Sequence, residues 1–167
     1  ISGPEWDSFL LSVNKNTFLH SLNWKTMNEK LGYTTYTLGQ YSQAGKSGRL
    51  VSIALCIIVE AKRGRFVFVP HGPIWSQDEA DQAGILAIWK AYFIKLADDH
   101  DCSFIRVQPI LLDSSQSSDI FTANGFRPAP IHMHTELSTV LDISGSERDV
   151  QLRMRKTTRQ MINKGLK

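Results

Sequence analysis

The chain has 167 residues, 42% of them hydrophobic and 21% charged, with a net charge of +3, the balance of one ordinary globular domain with a sizeable core. No apolar run approaches the roughly 18 residues of a membrane span, since the best one, Leu50 to Val59, contains Ser52 and stops at Glu60. Cys56 and Cys102 alone exclude a disulfide framework, and Glu5 and Asp7 stand where a secretory signal would be basic, so a soluble protein of a reducing cytoplasm is expected.

In chain order, Trp6, Phe9, Leu10 and Val13 recur at helical spacing and predict a helix over Pro4 to Lys15, with proline tolerated in its first turn. Asn16 to His20 reads as a short extended or looping piece. Ser21 then caps a second helix that passes through Trp24, Met27 and Leu31 and ends at Gly32. Alternation predicts a strand over Tyr33 to Tyr41, a polar turn over Ser42 to Gly48 and a long strand over Arg49 to Lys62. Arg63-Gly64-Arg65 turns the chain into a third strand, so these three form an antiparallel meander.

That third strand, Phe66 to Trp75, organises the rest. Pro70 and Pro73 lack amide hydrogens, so ladder pairing should stop there. Gly72 permits a close backbone approach, and a strand that opens opposite a helix start is a common ligand site. A plain corner between a strand and a helix accounts for the same residues. Asp78 to Asp101 follows as the main packing helix, with Ile85, Leu86, Trp89, Phe93 and Leu96 spaced for one face. A buried strand over Ser103 to Pro109, a helix over Ser114 to Asn124 closed by Gly125, and a strand over His132 to Leu141 come next. The last helix starts at Ser146, where Asp149 stands three residues after the cap. The order is α+β with one mixed sheet. Gly145 reads as a hinge, and the final helix runs to Lys167 without a stop signal, the pattern expected of a truncated chain.

Most local motifs have dull explanations. Gly-Lys-Ser at Gly45 to Ser47 suggests a phosphate loop, but the spacing from Gly39 is one residue too long and a strand follows it rather than a helix. His132 and His134 share a strand face and could hold a metal, yet no third ligand has convincing spacing, so no metal is expected. Asp98, Asp99 and Asp101 around His100 read as a solvated helix end whose acids oppose the helix dipole. No Gly-x-Ser-x-Gly elbow occurs, and no covalent nucleophile is suggested.

Charge is distributed unevenly. From Glu147 to Lys167 there are seven bases and two acids, a segment of +5, and the preceding residues sum to −2. On a single helix, Arg148, Leu152, Arg155, Lys156, Arg159 and Asn163 would share one side. Arginines in such a stripe suit a diphosphate or a nucleic acid backbone. A solvated or salt-bridged helix face gives the same pattern.

Several segments, in order over nearly the whole chain, carry a resemblance. They are Thr17-Phe18-Leu19-His20-Ser21 followed by Trp24 and Leu31-Gly32, then Val69-Pro70-His71-Gly72-Pro73-Ile74, then Phe104-Ile105-Arg106-Val107-Gln108-Pro109, Asn124-Gly125-Phe126, and Met154 to Lys164. Together they resemble the Fem family of non-ribosomal peptidyl transferases (FemX, FemA and FemB). The resemblance implies a GNAT-like acyltransferase domain, a mixed, mostly antiparallel sheet flanked by helices. It implies a first domain over 1–145, with 146–167 a basic helix that begins a second, largely missing one, and a fragment inactive by itself. It implies transfer of an amino acid from aminoacyl-tRNA to the stem peptide of a peptidoglycan precursor. The acceptor is then a UDP-linked muramyl pentapeptide or a lipid-linked precursor, met in the cytoplasm or at the inner face of the plasma membrane without stable insertion. No cofactor is implied, and the catalytic residues are left unassigned.

Carried over by position, Arg159 matches the family arginine placed to bind diphosphate, with Lys156 and Arg155 beside it. His71, Gly72, Pro73 and Ser76 fall on the strand-end motif. The lysine usual four residues after the second-helix tryptophan is Asn28 here, so Lys25 or Lys30 would substitute. The usual aspartate after the Gly-Pro turn is Ser76, and the usual basic residue before it is His71. Two other readings remain. One is another GNAT-like N-acyltransferase with a different acceptor, although the glycine-rich pyrophosphate loop of acetyl-CoA users is absent. The other is a non-catalytic RNA-binding module that uses the basic helix.

Overall fold

The computed structural model of the chain describes residues 1–13, 17–42, 48–62, 64–76, 80–111, 114–131, 133–134 and 141–166. The chain divides into two compact units, Ile1–Ala129 and Pro130–Lys167.

The first unit is built on a five-stranded sheet. Its strands are β1 (Thr34–Tyr41), β2 (Leu50–Ala61), β3 (Gly64–His71), β4 (Ile74–Trp75) and β5 (Phe104–Pro109). The spatial order is β1-β2-β3-β5, with β4 returning to pair with β2. β1, β2 and β3 form the expected antiparallel meander, and β5 lies parallel to β3. A parallel neighbour requires a crossover, and α3 (Gln82–Asp99) supplies it. The mixed α+β sheet expected from the sequence is therefore present.

Both faces of the sheet are covered, which is why β2 reads as a nearly unbroken apolar run. On one face Ala54, Cys56, Ile58, Val67 and Val69 pack against Ile85, Trp89, Phe93 and Leu96 of α3. On the other, Ile53, Leu55 and Ile57 pack against Trp6, Phe9 and Val13, from α1 (Gly3–Ser12) and the residue after it. A bulge opposite the Gln40/Tyr41 step inserts one extra residue, Val51, into β2. Strict alternation from Ala54 would place Val51 on the other face; the bulge brings it to the α3 side.

The helices depart from expectation mainly at their ends. α1 stops at Ser12, short of Lys15, because Val13 turns extended and buries its side chain. α2 (Leu22–Lys30) starts as expected, with Ser21 Oγ accepting from the Trp24 N–H. α3 starts at Gln82, not Asp78, because Asp81 caps it by accepting from the Gly84 N–H. A Cβ on Gly84 would crowd that carboxylate, so a larger residue there would displace the cap. At its other end α3 extends to Asp99, where Lys95 pairs with that carboxylate at 2.5 Å and offsets the unfavourable dipole. α4 (Ser115–Ala123) ends at Gly125 as expected.

In the second unit, the strand expected over 132–141 falls largely on 132 and 135–140, outside the described residues; Met133, His134 and Leu141 are not in a strand. Ser146 and Asp149 form the expected capping box at the start of α5 (Glu147–Arg153). The single basic helix expected from there is two helices. Met154 and Arg155 are extended, with ψ of 154° and 148°, and α6 (Lys156–Gly165) begins after them. No proline or glycine marks that break. The continuous stripe from Arg148 to Asn163 therefore does not form: Arg148 and Leu152 lie on α5, Lys156, Arg159 and Asn163 on α6, and Arg155 at the step between.

Candidate functional site

The site follows from how β3 ends. Antiparallel pairing with β2 stops at Phe68 and resumes only at Ile74 and Trp75. Parallel pairing with β5, by contrast, continues through Pro70↔Gln108 to His71↔Pro109, beyond the point where the prolines were expected to stop it. Pro70 can pair because a carbonyl suffices on the acceptor side of a ladder. At His71 the chain enters the left-handed region, with φ 51°, and it then crosses the cis Gly72–Pro73 bond into β4. The strand thus swings back to β2 while the chain after β5 goes on through Ile110 and Leu111. The two part, and a cleft of about 310 Å³ opens between them, lined by Val13, His71, Pro73, Ile74, Trp75, Gln82, Ile110 and Leu111.

Its wall is firmly held. Beneath Trp75, Trp89 Nε1 donates to Ser52 Oγ at 2.7 Å, and Ser52 Oγ donates to the Ile74 carbonyl at 2.7 Å. All three residues are buried. The Ser76 N–H donates to the Val51 carbonyl at 2.9 Å. Hydrogen bonds shielded from water in this way fix the path of β4.

A second network holds His71. The Phe18–His20 turn brings Thr17 and His20 against the end of β3, so that Thr17 Oγ1 lies 2.9 Å from His71 Nδ1 and His20 Nε2 lies 2.9 Å from the His71 carbonyl. Burial holds the pKa of His20 below the ordinary histidine value, against the raising effect of its bond to the His71 carbonyl; the neighbouring His71 charge also lowers it.

Of the residues singled out from the sequence, His71 and Pro73 line the cleft, Gly72 is buried between them, and Ser76 follows Trp75 at its edge. Lys25 does not line it: it sits on α2 in an ion pair with Glu29 at 2.6 Å, and Glu29 also accepts from Thr35 Oγ1. Asn28 is buried, with Nδ2 donating to the Trp24 carbonyl, so it is part of the α2 framework. In the second unit, Arg159 donates through a guanidinium nitrogen to the Leu152 carbonyl at 3.1 Å, tying α6 to the end of α5. Arg155 and Lys156 are exposed there. Thr17 and His20 were quoted from the sequence only for resemblance, and Gln82, Ile110 and Leu111 not at all. Their signal is tertiary, apart from the buried-type histidine that follows Phe18-Leu19. Among the described residues, no group of three histidines, cysteines or acids could hold a metal, and no helix is long and apolar enough to cross a membrane.

The profile of the FemAB family matches residues 1–127. No curated protein matches the chain. Among solved structures, the chain superposes on FemX with a TM-score of 0.64 at 15% identity, covering 76% of this chain and 31% of that one. It superposes on an acetyltransferase of Trypanosoma brucei at 0.54, with 15% identity and coverage of 82% and 96%. An aminoglycoside 6′-N-acetyltransferase of Acinetobacter haemolyticus gives 0.51, with 14% identity and coverage of 83% and 92%. The first unit therefore has the GNAT-type acyltransferase fold, and the chain spans about a third of the length of FemX.

Proposed function

Because this chain belongs to the FemAB family, we propose that it is part of an aminoacyltransferase that moves an amino acid from aminoacyl-tRNA to the stem peptide of a peptidoglycan precursor. The observation that carries this reading is the cleft where β3 and β5 part, together with a family profile that covers the elements forming it. In this reading the acceptor peptide enters beside His71, Pro73 and Trp75. The tRNA ester meets its amine without a covalent enzyme intermediate, so catalysis is mostly alignment and stabilisation of the developing oxyanion. Arg159, with Lys156 and Arg155, supplies cationic donors for the diphosphate of a UDP-linked or lipid-linked acceptor. Its bond to Leu152 uses one of five guanidinium N–H groups and leaves donors for an anion. The work is done on the cytoplasmic side.

The test is binding of a UDP-linked muramyl pentapeptide to the full-length protein, wild type beside Arg159→Ala. The expected result is binding that the substitution weakens by more than about tenfold, roughly 1.4 kcal/mol. Equal binding by both removes Arg159 from the site, and no binding by folded wild type points to the lipid-linked acceptor. The GNAT-type fold favours a second reading, an N-acyltransferase that uses coenzyme A and another acceptor. Coenzyme A binding to the same protein would favour it.

A further inference from the structure

We propose that His71 takes the proton of the attacking amine, and that Thr17 and His20 are positioning residues that hold it for that step. The proposal rests on the transfer reading above and adds to it a catalytic residue and its support.

The geometry is a chain of hydrogen bonds between segments far apart in sequence. Trp6 Nε1 donates to the His20 carbonyl at 2.8 Å, anchoring the Phe18–His20 turn to α1. The Thr17 backbone N–H donates to His20 Nδ1 at 2.9 Å. A ring nitrogen that accepts carries no proton, so neutral His20 bears its hydrogen on Nε2. That hydrogen is directed at the His71 carbonyl, 2.9 Å away. With the side chain 2% exposed, His20 cannot reach a substrate. It is a neutral crossbar between the turn and the end of β3. A φ of 51° is uncommon for a residue with a side chain, and such a conformation persists where the surroundings over-determine it. The His20 bond to the carbonyl is one such restraint.

His71 is placed differently. It is partly exposed and lines the cleft. Its ring is fixed from one side by Thr17 Oγ1, 2.9 Å from Nδ1. When Thr17 accepts, Nδ1 holds the hydrogen and Nε2 holds the lone pair, the arrangement a general base needs. The step then balances. The amine nitrogen bonds to the ester carbonyl carbon, and Nε2 takes the proton that the nitrogen sheds. The tetrahedral intermediate collapses with cleavage of the ester C–O bond, and the imidazolium returns the proton to the departing ribose oxygen. Histidine is neutral and basic in the range where this exchange is efficient.

Steady-state transfer by the full-length protein, with UDP-linked muramyl pentapeptide and aminoacyl-tRNA, tests this. His71→Asn should lower kcat by about 100-fold or more and leave the acceptor KM within about threefold. Thr17→Val and His20→Leu should each lower kcat by about tenfold, again without a matching change in KM. His20→Gln, whose amide can still donate to the His71 carbonyl, should recover most of the loss. Nitrogen-15 spectra of the wild type provide a readout independent of activity and of how the variants fold. They should show His20 as the Nε2–H tautomer and His71 as the Nδ1–H tautomer. Wild-type transfer with His71→Asn unimpaired, or His71 found as the Nε2–H tautomer, overturns the proposal and leaves the transferase reading standing. A folded wild type that transfers nothing from any aminoacyl-tRNA to either precursor overturns that reading and this proposal with it.

Discussion

Two histidine–hydroxyl pairs stand at opposite ends of the same sheet, and their surroundings differ. At the carboxyl end of β3, His71 meets Thr17; at the amino end, His100 meets Tyr36, whose Oη lies 2.7 Å from its Nε2. Each borders a cleft of similar size, about 310 Å³ for the first and 300 Å³ for the second. The second is lined by Gly32, Tyr33, Glu60, Arg65 and His100, and Arg65 bonds two of its neighbours there. Arg65 donates to the His100 carbonyl and pairs with Glu60, and His100 closes the end of α3. That arrangement ends a helix. At the first pair the strands part, the lining includes Ile74, Trp75 and Leu111, and a buried histidine holds the backbone from behind. A histidine beside a hydroxyl is therefore not a site by itself; what sets His71 apart is the cleft opened beside it where β3 parts from β5.

The comparison can be broken from the His71 side by removing its support. Trp6→Ala should cost about 3–5 kcal/mol in urea unfolding, because Trp6 is 1% exposed and anchors the His20 carbonyl. Ser52→Ala leaves the Trp89 N–H unpaired and should cost about 1–3 kcal/mol, with β4 loosened and Trp75 fluorescence shifted.

Acid sharpens the contrast. The folded pKa of His20 is held below its ordinary value of 6.5. Between those two values the unfolded chain binds more protons than the folded one. The stabilising share of His20 is therefore complete above about pH 6.5 and falls as pH drops, by at most about 1.4 kcal/mol per pH unit. Melting followed from pH 7 to 5 should show this slope in wild type and a flatter one in His20→Gln. The smallest effect belongs to the other pair. Tyr36→Phe should cost about 0.5–1.5 kcal/mol and leave acceptor binding unchanged.

Much of the first unit was legible in the sequence because its signals are local. The alternation of Tyr33 to Tyr41, the apolar run of β2 and the helical spacing of Ile85, Trp89 and Phe93 each report one element's own burial. The opening at the end of β3 was legible from Pro70 and Pro73, although pairing with β5 continued one step past Pro70. What could not be read depends on contacts between distant residues. His20 meets His71 across 51 positions, and no spacing rule links them. The step at Met154 and Arg155 was hidden for another reason: every residue around it is an acceptable helix former, so the periodic pattern ran through it unbroken. Lys25 was set beside the candidate site by resemblance alone; the structure pairs it with Glu29, one turn further on, a spacing the sequence also held.

The central claim is that the cleft beside His71, and not its counterpart beside His100, receives the acceptor. Titration of UDP-linked muramyl pentapeptide into nitrogen-15-labelled full-length protein tests it most directly. The account predicts saturable shifts of the Trp75 indole and the His71 ring, with Tyr33, Arg65 and His100 unmoved. Saturable shifts confined to Tyr33, Arg65 and His100 would contradict it.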